Sequence, residues 1–228
     1  MAFFNRPHPH ALPRTADRQH GLNIEPIWFE WLALGGMLLF GSWLLGMRGV
    51  WALLLASDPT GITLVIIVVF FASTLWCGAR SRELQRQRRL LVTAAGDGWA
   101  ADYLAALRSK PVDVDAPLDL LLEQAQGPHH TAWWVNGIQL KLGLLGKVIG
   151  FSVLALQIGN IQSFDPSQSQ DLLKSLTQGL GIALLTTMVG LVGNILLGLQ
   201  LTRLDRYADA FVSDCQRAGL AIGQGARP

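Results

Sequence analysis

The amino-acid sequence predicts an all-α integral membrane protein, a helical bundle with about four transmembrane helices. Three observations carry this. Half of the 228 residues are apolar and only 15% are charged, where a soluble domain carries about a quarter. Mean hydropathy is positive, +0.34. The apolar residues fall into runs long enough to cross hydrocarbon, and arginines cluster at every second break between the runs, as when all of them lie on one side of a membrane.

The chain is predicted to open with a cytoplasmic arm over 1–26, which holds Arg6, Arg14 and Arg18. Ile27 to Met47 is the first span, since ~20 residues cross the hydrocarbon. It is too long for a signal-peptide core and more membrane follows it, so it is expected to be retained. Trp28, Trp31 and Trp43 suit its interfaces. Arg48 interrupts the run, and Gly49 to Ala56 continues it outward. Ser57-Asp58-Pro59-Thr60-Gly61 is a turn by composition. Ile62 to Gly78 returns as the second span. Its β-branched residues would also suit a buried strand, but its length beside another apolar run favours a helix.

Arg80, Arg82, Arg86, Arg88 and Arg89 follow, with Glu83 the only acid among them. Such a cluster directly after a span marks the cytoplasmic side, and its place beside the membrane argues against nucleic acid as its partner. Residues 80–137 form a cytoplasmic helical loop, broken by Gly96, Gly98, Pro111, Pro117 and Pro128. Ile138 to Ile161 is the third span and Leu176 to Leu201 the fourth. The linker Gln162 to Lys174 has one basic residue, as an outer loop has. Arg203, Arg206 and Arg217 place the tail, 203–228, back in the cytoplasm. The two hairpins are thus 27–79 and 138–202, with both termini cytoplasmic.

Little in the sequence points to an enzyme, a cofactor or a metal. Cys77 and Cys215 make no disulfide framework. Asp113, Asp115 and Asp119 lack the calcium-loop spacing. His129 and His130 form a pair without further ligands nearby in sequence, and His8, His10 and His20 lie in the arm.

The informative pattern is on the last two spans. Gly143, Gly146, Lys147, Gly150 and Gln157 recur at three- and four-residue spacing, and so do Ala183, Thr187, Gly190, Asn194 and Gly198, so each set shares one side of its helix. Small residues let membrane helices approach closely, and threonine or asparagine adds hydrogen bonds. Read alone, these faces describe a tight helix–helix interface. Lys147 lies about ten residues into its span, ~13 Å along the axis. A lysine at the bilayer centre costs about 2.5–3.5 kcal/mol, so either a polar cavity or carboxylate receives it, or its apolar stem snorkels to the headgroups. No Asp or Glu is expected inside any of the four spans. A proton carrier needs a titrating group in the membrane, so a partner would have to bring it.

Gly143-Leu144-Leu145-Gly146-Lys147-Val148-Ile149-Gly150 resembles the Gly-Leu-Leu-Gly-Thr-Val-x-Gly motif of the MotA/TolQ/ExbB proton-channel family. Ala183-Leu184-Leu185-Thr186-Thr187-Met188-Val189-Gly190-Leu191 resembles that family's Ala-Leu-x-x-Thr-x-x-Gly-Leu motif on the following helix. The resemblance covers about residues 140–200. It implies a homo-pentamer around a central pore, with two copies of a single-span partner of the ExbD/TolR/MotB kind inside it. The partner's membrane aspartate would carry the proton. Lys147, Thr186, Thr187 and Asn194 would lie along the ion path, with Gly143, Gly146, Gly150, Ala183, Gly190 and Gly198 packing the helices. The chain would then be the pore subunit of a motor driven by the proton-motive force in a bacterial inner membrane. Three features depart from the family: Lys147 replaces its threonine, the proline after the second motif is missing, and the arginine-rich loop is shorter than that of flagellar MotA. A non-conducting oligomeric scaffold is the alternative.

Overall fold

The computed structural model describes residues 27–58, 60–93, 96–109, 115–159 and 166–225. Among them every regular element is helical: α1 (Ile27–Met47), α2 (Val50–Ser57), α3 (Ile62–Thr93), α4 (Trp99–Ser109), α5 (Asp115–Gly159) and α6 (Pro166–Gly225). Four of these, α1, α3, α5 and α6, are long and apolar enough to cross a membrane. That is the architecture of a multi-pass membrane protein. The expected arm over 1–26 lies outside the described residues.

The breaks fall where the backbone chemistry requires them. Gly49 adopts φ 71° between α1 and α2, a conformation costly for residues with a Cβ, and so ends the first run where Arg48 interrupts it. Asp58 organises the next turn. Its carboxylate accepts hydrogen bonds from the Thr60 amide (3.0 Å), the Thr60 hydroxyl and the Thr63 amide (2.6 Å), so it holds the free N–H groups that open α3. Partial burial works against the charge on Asp58, but these hydrogen bonds outweigh it and hold its pKa below the usual carboxylate value. Ile62 to Gly78, readable as a strand, is helix.

Three helices run well past their predicted spans, among them α3 with 32 residues where Ile62 to Gly78 is expected. α5 has 45 residues and α6 has 60, about 67 and 90 Å at 1.5 Å per residue, where hydrocarbon needs only ~30 Å. The expected cytoplasmic loop is therefore built from the continuation of α3 past Gly78, from α4 and from the first half of α5, and α6 begins at Pro166 inside the expected outer linker. α5 and α6 pack antiparallel over most of their length, the most extensive contact in the chain, with α3 against both.

At the arginine-bearing end the bundle has a core of the soluble kind. Tyr103 of α4, Leu121 and Ala125 of α5, and Phe211, Val212 and Cys215 of α6 bury one another. Arg88 and Asp214 clamp α3 to α6 with an ion pair of 2.8 Å, both side chains less than a tenth exposed. Higher up, Phe70 and Cys77 of α3 meet Leu197 and Leu201 of α6. α1 lies at the periphery: its Trp31 indole donates to the Thr74 carbonyl at 3.1 Å, while Phe29, Met37, Leu39 and Phe40 are exposed. Glu30, the one acid within 27–47, lies in the first turn of α1, 3.9 Å from Arg203. Absence of acid from the runs therefore holds for their interiors only.

Candidate functional site

The two motif segments face each other. Gly143, Gly146 and Gly150 of α5 are buried against α6, and the approach is at backbone level. A Cβ on Gly150 would stand 2.8 Å from the Ala183 nitrogen, and one on Gly190 would stand 2.8 Å from the Gln139 carbonyl oxygen. A Cβ on Gly146 would meet the Thr186 hydroxyl at 2.6 Å. At Gly150 and Gly190 no larger residue fits without moving a helix, which is what small-residue faces accomplish where lipid gives no hydrophobic drive. Gly198 is looser, with the Asn136 amide nitrogen 3.4 Å from its would-be Cβ.

Polar groups tie the same seam. Thr187 Oγ1 donates to the Ala183 carbonyl (2.8 Å) in its own helix and lies 3.2 Å from the Gly143 carbonyl across the interface. Asn194 Nδ2 donates to the Asn136 carbonyl at 2.9 Å. Thr186 is fully buried between α5 and α6. It offers no surface to a pore outside this subunit, so its position is that of a packing residue.

Lys147 is placed differently from the glycines with which it shares the spacing. It is exposed while Gly143, Gly146 and Gly150 are buried. At about 100° per residue it falls on the flank of the stripe rather than its centre. Among the described residues it has no acidic partner. For antiparallel helices, Thr187 falls on that same flank. α3 occupies the opposite one, where Phe70 approaches Gly193 and Gln200 Nε2 donates to Thr74 Oγ1 at 3.2 Å. The set Lys147, Thr186, Thr187 and Asn194 thus divides: Lys147 outward, Thr187 and Asn194 half-buried, Thr186 inside. The Gln157 side chain lies outside the described residues.

The stripe also continues further toward the arginine-bearing end than the motif indicates. Asn136 and Gln139 carry it on at the same spacing, and both are buried. Among the described residues neither Gln139 amide atom, nor Asn136 Oδ1, has a hydrogen-bond partner. Unpaired buried polar groups are rare, and inside a membrane bundle they mark a polar seam. Extending the 143-146-150 periodicity by two more steps finds both residues in sequence.

Below the seam is a constellation that sequence spacing does not reveal. The Asp205 carboxylate accepts from His129 Nδ1 (2.7 Å) and Trp133 Nε1 (2.8 Å). His129 is 2% exposed, lies edge-on to Trp76 (6.2 Å between ring centroids), and its Nε2 has no hydrogen-bond partner among the described residues. Burial pulls its pKa below the ordinary imidazole value, and the Arg80 and His130 charges act in the same direction; the Asp205 carboxylate opposes them without prevailing. In the neutral form of the ring, a hydrogen bond to the Asp205 carboxylate requires the proton on Nδ1. Its partner is 76 positions away in sequence. His130 is exposed. Among the described residues no group of three His, Cys, Asp or Glu side chains is placed to hold a metal; Asp113 lies outside them. Cys77 and Cys215 are free thiols in separate clusters, and burial raises the Cys215 pKa to about 12.

Compared with family models, with curated proteins and with solved structures, the chain shows no match.

Proposed function

We propose that the chain is the pore-forming subunit of a motor driven by the proton-motive force in a bacterial inner membrane. It would assemble as a pentamer, with amino and carboxyl termini cytoplasmic. It would conduct protons together with two copies of a single-span, ExbD/TolR/MotB-like partner that carries the membrane aspartate. The observation that carries this reading is the α5–α6 hairpin: the two segments resembling the MotA/TolQ/ExbB motifs meet in register, glycine backbone to glycine backbone. Its open flank, away from α3, presents Lys147 and half-buried Thr187. The span interiors supply no carboxylate, which leaves the carrier to a partner.

A second reading has its own support. Thr186 is fully buried, and Thr187 and Asn194 spend their hydrogen bonds inside the subunit. Those are the contacts of a close-packed scaffold that conducts nothing.

Native mass spectrometry of the purified complex separates the two. Five copies, with two single-span helices added on co-expression of the neighbouring gene product, support the motor. A monomer, dimer or tetramer without a central pore refutes it. Proton flux in proteoliposomes then distinguishes a conducting pentamer from a scaffold of the same size.

A further inference from the structure

At the arginine-bearing end, α1 and α3 enclose a groove of ≈ 460 Å³ lined by Trp28, Arg82, Gln85, Arg86 and Arg89, among others. We propose that this groove binds the headgroup of an anionic phospholipid.

The basic side chains come from one helix. Arg82, Arg86 and Arg89 recur at i, i+4 and i+7, so they form a single file along α3. All three are exposed. Arg86 has only a loose partner, Glu83 at 3.9 Å, and Arg82 and Arg89 meet no carboxylate among the described residues. Arg82 is nevertheless positioned: its guanidinium lies 3.6 Å over the Trp28 ring, and Trp28 stacks on Trp31 at 5.0 Å. Stacking leaves the edge N–H groups of the guanidinium free for a phosphate, which Arg can bind bidentately.

Depth selects the ligand. The apolar part of α3 ends at Gly78, and Trp28 begins the apolar run of α1. Trp28 and Arg82 therefore stand at the hydrocarbon boundary, where interfacial tryptophan is favoured. Arg86 is about 6 Å farther along the axis and Arg89 about 10 Å, so the file crosses a headgroup layer of about 5–8 Å and ends just beyond it. A phosphodiester there has its acyl chains beside the exposed apolar face of α1. Basic pockets between membrane helices take anionic lipid headgroups by this logic. The chain's own first 26 residues are a poor occupant on charge, since Arg6, Arg14 and Arg18 outnumber Asp17 and Glu25.

The inference is independent of the motor reading and is tested without measuring flux. Purified full-length protein in neutral detergent is titrated with phosphatidylglycerol, phosphatidylcholine or glycerol 3-phosphate, and bound lipid is counted by native mass spectrometry. Phosphatidylglycerol is expected to bind selectively, and to lose about fivefold in affinity per arginine removed in Arg82→Gln, Arg86→Gln and Arg89→Gln. A charge-matched triple variant elsewhere on the same end, Arg108→Gln with Arg206→Gln and Arg217→Gln, is expected to retain binding. Trp28→Leu, which keeps every charge, is expected to weaken it. Equal losses in the two triple variants would reduce the site to diffuse surface charge and overturn the proposal. So would equal binding of phosphatidylcholine, or displacement by glycerol 3-phosphate at comparable concentration, which would make the ligand a soluble anion.

Discussion

Gly150 and Gly137 occupy the same helix, yet substitution by alanine is expected to act in opposite directions. A Cβ at Gly150 would lie 2.8 Å from the Ala183 backbone nitrogen, while one at Gly137 has nothing within 4 Å. Overpacking costs about 1–3 kcal/mol where backbone cannot yield, whereas Gly to Ala in an open helix position gains up to about 1 kcal/mol. Gly150→Ala therefore lowers the unfolding temperature in detergent and Gly137→Ala leaves it unchanged or raises it. Equal effects would mean that the hairpin is not packed at backbone level. A second expectation at this scale concerns His129. Burial holds its folded pKa below the ordinary value near 6.5. Above that pH the imidazole is neutral folded or unfolded and carries no penalty. As pH falls through 6.5 the unfolded chain takes up a proton that the buried ring refuses, so stability is lost toward the folded pKa. Thermal unfolding between pH 7.5 and 5 is expected to be steeper in the wild type than in His129→Gln. Parallel profiles would show that His129 is not the titrating group.

Within the helices, what sequence reveals depends on whether the signal is periodic. The spans, the turn at Asp58 and the glycine stripe all follow from local composition or from three- and four-residue spacing, and the helices place them there. Three things do not follow. The lengths of α5 and α6 exceed their apolar runs because the same helices go on to build the polar end of the bundle, where Phe211, Leu121 and Tyr103 form a core. The outward turn of Lys147 depends on which flank α3 occupies. The union of His129 with Asp205 depends on α5 and α6 running antiparallel. Pro128 makes a related point about tertiary repair. Inside α5 it lacks the N–H that would satisfy the Gln124 carbonyl. Arg80 of α3 donates to that carbonyl instead, and to the Ala125 carbonyl at 3.2 Å, with its guanidinium 5.0 Å over the Trp99 ring. Arg80→Ala is expected to be destabilising in the wild type and less so in a Pro128→Ala background, where the helix satisfies its own carbonyl. A double-mutant cycle should return a coupling of about 0.5–3 kcal/mol. Additive effects would show that Arg80 serves the Trp99 contact and the Ala125 carbonyl alone.

For the whole molecule, the decisive asymmetry is that one flank of the α5–α6 hairpin is covered by α3 and the other is bare. Leu144, Leu145 and Val148 of α5 and Leu184, Met188 and Leu191 of α6 are exposed around Lys147. A lysine about 13 Å into a span, beside apolar side chains and without an acidic partner among the described residues, is tolerable in two ways. Its stem can carry the ammonium out to the headgroups, or an assembly can bring a carboxylate to it. In the proposed pentamer, symmetry repeats the bare flank five times around the axis, so five ammonium groups would surround any helix held within. They would repel free protons and bind a partner's aspartates as ion pairs, and breaking a buried pair costs about 3–5 kcal/mol. Lys147→Thr, which restores the residue type of the motif, keeps the helix packing because Lys147 lies outside the glycine contact. It is therefore expected to leave the subunit count unchanged while lowering the fraction of co-purified partner, raising passive proton leak, or both. Lys147→Arg, which keeps the charge, is expected to retain the partner. If Lys147→Thr leaves partner content and leak at wild-type levels, the ammonium lies among the headgroups and the pairing idea falls. The glycine seam would then be the only part of the hairpin that the assembly requires.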